Sequence, residues 1–86
     1  GRDSWITAEL IRRLSFDRSI KYINYKVETA NKTVYLMGVA QNQVELDRVV
    51  NHARQVNYVR RVVSYVLKKD DPQRKKRRTT LHQIDK

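Results

Sequence analysis

The sequence predicts an α+β domain of order α-β-β-α-β, a three-stranded mixed sheet with two helices packed on one face. Three observations predict it. Aliphatic residues recur at helical spacing near the start and again after residue 42. Two β-rich runs flank a short Asn-containing turn, which reads as a hairpin. A third β-branched run follows the second helix, so a right-handed crossover makes it parallel to the strand before that helix.

The first helix is expected from about Asp3, a residue suited to capping, to about Ser15. Ile6, Leu10 and Leu14 lie at i, i+4 and i+8, and Ile11 widens the stripe. At about 100° per residue, Trp5 points roughly 165° away from the centre of that stripe, and Arg12 falls about 20° from Trp5. The only tryptophan of the chain is thus expected to face outward, over a small, partly basic patch with Ala8.

The run YINYKVET alternates, with Ile23, Tyr25 and Val27 on one side. TVYLMGVA is apolar on both sides, as expected of a central strand. Asn31 in the intervening ANK can take a positive φ. Gly38, inside the second strand, predicts a close approach by a helix or a backbone. In NQVE, Asn42 and Glu45 stand at capping-box spacing, with Glu45 otherwise read as surface charge. Leu46, Val49, Val50, Ala53 and Val56 form the stripe of the second helix, and NYVRRVVSYVL reads as the last strand.

Periodicity ends near residue 68. Residues 3–68 read as the domain, and residues 69–86 as a basic tail predicted to be disordered in isolation. Arg74, Lys75, Lys76, Arg77 and Arg78 form an unbroken basic run in it. The whole chain of 86 residues carries 19 Lys and Arg against nine Asp and Glu, a net charge of +10. Such an excess points to a polyanionic partner: an anionic lipid surface, a nucleic acid or an acidic protein. No run reaches the roughly 20 apolar residues that span a bilayer, which predicts a soluble piece.

Few residues suggest chemistry. There is no cysteine, and the glycines are Gly1 and Gly38, so a glycine-rich phosphate loop is excluded. His52 and His82 are thirty positions apart, without companions at metal-ligand spacing. No serine stands in a nucleophile motif, so no catalytic residue, metal or cofactor is predicted and the reading is a non-catalytic binding module.

SWITAELIRRL, YKVETANKTVYLMGVA and ARQVNYVRRVVSYV together resemble the BON domain, named for bacterial OsmY and nodulation proteins, over about residues 3–67. Gly38 matches that family's strand glycine, while Lys32 and Asn57 stand where the family usually carries turn glycines. WIT and YLMG look most like the second BON domain of dual-BON outer-membrane lipoproteins. The resemblance implies a periplasmic, outer-membrane-associated domain of Gram-negative bacteria that binds phospholipid and supports envelope integrity. In lipoproteins of that kind an N-terminal lipidated cysteine is the anchor; this chain has none, which implies an excised domain or another arrangement. The surface around the first helix is the implied lipid contact, which points here to Trp5, Ala8, Glu9, Arg12 and Arg13. A second BON domain or an envelope protein is the implied protein partner. The alternative readings are a nucleic-acid module using the tail and an open sheet face, with Tyr22, Tyr35 or Tyr58 stacking on bases, or a protein-interaction module.

Overall fold

Ile6, Leu10 and Leu14 fall on one stripe of α1 (Arg2–Phe16) and are fully buried. Burying each side chain contributes about 1.5–3 kcal/mol, which fixes the face the helix turns inward. In the computed structural model, which describes residues 1–69, this helix is followed by a short 3-10 turn (Tyr22–Asn24), β1 (Tyr25–Ala30), β2 (Thr33–Ala40), α2 (Gln43–Gln55) and β3 (Arg61–Lys68). β1 pairs antiparallel with β2 and β3 pairs parallel with it, so the sheet order is β1-β2-β3. The α+β class, the element order and the mixed three-stranded sheet are as the sequence predicts.

Strand alternation selects the inner face. Val27, Val34, Leu36 and Ala40 are buried there, and Val49, Ala53 and Val56 close the core from α2. The opposite face, with Tyr35, Met37, Val39, Val63, Tyr65 and Leu67, carries no covering element among the described residues.

Several local expectations are corrected. Asp3 does not cap α1. Gly1 precedes the helix, no side chain caps it, and Asp3 sits in the first turn. Its two carboxylate oxygens instead accept the N–H groups of Asn31 and Lys32 at 2.9 and 3.0 Å. Those two residues form the hairpin turn with φ of 51° and 63°, the double positive φ of a type I′ turn. A lysine in the left-handed region costs about 1–2 kcal/mol, and the two charge-assisted bonds offset part of that. Ile11 is exposed rather than part of the core stripe. Ile23 is not in β1: the chain turns before the strand begins, leaving Ile23 82% exposed.

Glu45 is also corrected, from surface charge to a buried residue only 3% exposed. Asn42 Oδ1 accepts the Glu45 N–H at 2.9 Å, which is half of a capping box. The Glu45 carboxylate takes other donors: the Gln41 N–H and side-chain amide, the Lys21 N–H and the Tyr25 hydroxyl. Burial alone would raise its pKa; these four donors overcome it and hold the carboxyl below its usual value. Burial, and then the bond to Glu45, push the Tyr25 hydroxyl well up. Beside this seam, Gly38 has φ +125°, and a Cβ there would stand 2.1 Å from the Asn24 carbonyl oxygen. The close approach comes from the backbone entering β1.

A second polar link joins the end of α1 to α2. Asp17 accepts the Ser19 N–H and hydroxyl on one oxygen, and Arg48 and His52 on the other. The Ser19 hydroxyl, then His52, hold its carboxyl far below the usual range. His52 is thus half-buried against a carboxylate; His82 lies outside the described residues, as does the basic run of residues 74–78.

Candidate functional site: the outer face of the first helix

Once Ile6, Leu10 and Leu14 face the core, helical geometry commits Trp5, Glu9, Arg12 and Phe16 to the opposite side. Trp5 is 46% exposed and Phe16 is 74% exposed. Eleven residues, about 16 Å of helix, separate them, and three turns bring them back to one line. Arg12 lies between, its guanidinium carbon 5.8 Å from the centre of the Phe16 ring.

Glu9 organises the arginines. Its carboxylate accepts two bonds from Arg12, at 3.0 and 2.7 Å, and one from Arg13 at 3.2 Å. Arg12 above all, and Arg13 with it, hold the Glu9 carboxyl below its usual value. Arg13 leans away from the line toward α2, with Nη1 3.4 Å from Gln55 Oε1. Ala8 flanks the other side, beside Thr7, Ile11 and Thr29. The five residues picked out by the sequence therefore share one helix. Only Trp5, Glu9 and Arg12 share one line with Phe16, and Ala8 and Arg13 flank it.

Three contributors escape sequence reasoning. Phe16 lies just beyond the expected helix end at Ser15, although its phase on the wheel matches Trp5. Tyr58 comes from the loop between α2 and β3, half exposed, with its ring edge-on to Trp5 at 5.9 Å and 74°. Its φ is +77°, rare for a bulky residue. Asn57 stands where a glycine was expected, but the positive φ falls one residue later. Arg2 completes the cluster, its guanidinium carbon 3.9 Å from the centre of the Tyr58 ring.

The tyrosine platform considered for base stacking is not assembled. Tyr22 sits in the 3-10 turn, Tyr35 on the uncovered sheet face and Tyr58 against Trp5. Among the described residues, no group of three His, Cys, Asp or Glu is placed to hold a metal ion. No helix among them is long and apolar enough to cross a membrane.

A family model for the BON domain matches residues 2–67, all of the α-β-β-α-β unit but the last residue of β3. The chain belongs to the BON family. BON domains are generally non-catalytic and are associated with phospholipid and the cell envelope. An uncharacterized protein in the gshII 5′ region of Anaplasma centrale is 42% identical over 64 residues, which cover 74% of this chain and 42% of that protein. Among solved structures, CdsD, a structural protein of the type III secretion system of Chlamydia trachomatis, superposes with a TM-score of 0.67 at 19% identity. That match covers 90% of this chain and 36% of CdsD, and at this identity it establishes the shared fold. The chain thus spans less than half the length of either protein.

Proposed function

We propose that this BON domain docks peripherally on anionic phospholipid through the outer face of α1 and thereby supports cell-envelope integrity, without catalysis. The carrying observation is the line Trp5–Arg12–Phe16, two exposed aromatic rings with a guanidinium between them on the side of α1 turned away from the core. An indole favours the head-group boundary, where its ring is apolar and its N–H meets polar groups. Arg2, Arg12 and Arg13 supply cations beside the rings against the one carboxylate of Glu9. Each cation near an anionic surface contributes about 1 kcal/mol, screened by salt. The basic run of residues 74–78 adds to the same attraction by charge alone. This reading locates the protein in the periplasm at the outer membrane, with a second BON domain or an envelope protein as further partner.

The test is Trp5 fluorescence during titration with vesicles. Vesicles rich in phosphatidylglycerol are expected to shift the emission to the blue, and vesicles of phosphatidylcholine are not. An equal response to both, or none to either, contradicts the proposal.

A further inference from the structure

β3 is an edge strand, and between its terminal Arg61 and Lys68 it carries none of the charges or prolines that usually blunt an edge. β1, at the other edge, turns Lys26 and Glu28 to the uncovered face, whereas β3 turns Val63, Tyr65 and Leu67 there. No strand among the described residues pairs with the outer side of β3. The Val66 N–H is bonded to the Ser64 hydroxyl of its own strand at 3.3 Å, a weak local substitute for a ladder partner. Alongside this edge, between α2 and the sheet, runs a groove of about 600 Å³ lined in part by Gln43, Leu46, Val50, Arg54 and Ser64. A strand laid beside β3 would drop alternate side chains into that groove and set the others against Tyr65 and Leu67.

Charge identifies the occupant. Arg60 and Arg61 stand at one end of β3 and Lys68 and Lys69 at the other, and none of the four forms an ion pair among the described residues. A second copy pairing antiparallel about the strand centre would set Arg61 against Lys68 and Lys68 against Arg61, like charges directly opposed. A segment with an apolar centre and acidic ends meets favourable partners at both ends. We propose that the β3 edge takes up an extended segment of a partner protein by strand addition, apolar in its centre and acidic at both flanks. This surface is separate from the outer face of α1 and does not depend on its lipid reading.

The probe is a blocked nonapeptide with the centre Val-Thr-Val-Thr-Val and two glutamates at each end, titrated into the full chain and followed by amide chemical shifts. Shifts concentrated on residues 61–68, with binding at least roughly tenfold weaker for the same centre flanked by lysines, are expected from opposed charge pairs at both ends. The double variant Arg61→Glu and Lys68→Glu is expected to reverse that preference, and Val66→Pro to weaken both peptides by removing an edge donor. Equal binding of the two peptides, no response of β3, or no reversal in the folded charge variant overturns the proposal. So do β3 shifts that arise without peptide, on raising protein concentration or on deleting residues 70–86, since these assign the edge to a second copy or to the chain's own C-terminal segment.

Discussion

Two carboxylates three residues from an arginine or an asparagine, Glu9 and Glu45, lead opposite lives. Glu45 is buried where the 3-10 turn, β1 and α2 meet, and gathers four donors. One comes from Lys21 just before the turn, one from Tyr25 in β1 and two from Gln41 in the loop before α2. Glu9 lies on the outer face of α1 and holds two arginines of its own helix. The seam around Glu45 is fixed because a buried carboxylate that loses its donors bears its full desolvation cost. The outer face can exchange partners more readily, because the Arg12 side chain is more than half exposed and such a pair contributes little in water. The carboxylates of Glu45, Asp17 and Asp3 therefore tie elements of the fold together, whereas Glu9 bonds only arginines of its own helix.

The difference predicts that changes at the seam unfold the protein, while changes on the outer face leave folding intact. The largest effect is expected at Gly38, where Ala would strain the backbone at φ +125° and set its Cβ 2.1 Å from the Asn24 carbonyl. Gly38→Ala should destabilise by about 3–5 kcal/mol, visible in urea unfolding. Glu45→Ala leaves the part-buried N–H groups of Lys21 and Gln41 and the Tyr25 hydroxyl without their shared acceptor, and should cost about 2–3 kcal/mol, lowering the melting temperature by roughly 10 °C or more. A melting temperature unchanged in Glu45→Ala would remove the seam from this account.

Acid should act through Glu45 and through Asp17, the carboxylate that links the end of α1 to α2. The folded-state pKa of Asp17 is depressed below the ordinary 3.8, and that of Glu45 below 4.5. Their contribution is fully present above those ordinary values and is lost as pH falls through the depressed ones. Thermal stability is therefore expected to decline below about pH 4, and Asp17→Asn should flatten the decline. An equally steep acid limb in that variant speaks against the Asp17 link. The smallest effect is expected at Tyr58. Glycine there relieves about 1–2 kcal/mol of left-handed strain but loses the ring contact with Trp5, about 0.5–1.5 kcal/mol, so Tyr58→Gly should melt close to the parent.

The sequence made the frame legible because periodicity reports which face is buried. Ile6, Leu10 and Leu14, or Val49 and Ala53, could bury together only as helices, and the crossover then forced β3 parallel to β2. What escaped depends on tertiary partners. Asp3 has the chemistry of a cap, yet the hairpin amides reach it first. Ile23 continues the strand pattern, yet the backbone must turn there to pass Gly38. Glu45 sits at cap spacing, and only the 3-10 turn folding over it makes it buried. At the candidate site, Trp5 could be placed by phase alone, whereas Tyr58 reaches it across more than fifty residues through an unusual φ that no local pattern announces.

The central claim is that the outer face of α1 is a docking surface that folding does not need. The direct measurement is co-sedimentation of the double variant Trp5→Ala, Phe16→Ala with phosphatidylglycerol vesicles, alongside its thermal melt. Removing two rings from the head-group boundary should weaken binding at least roughly tenfold. The variant should stay folded, with a melting temperature lowered by no more than roughly 10 °C, the loss of the Trp5–Tyr58 ring contact. Undiminished binding by a folded double variant would contradict the account.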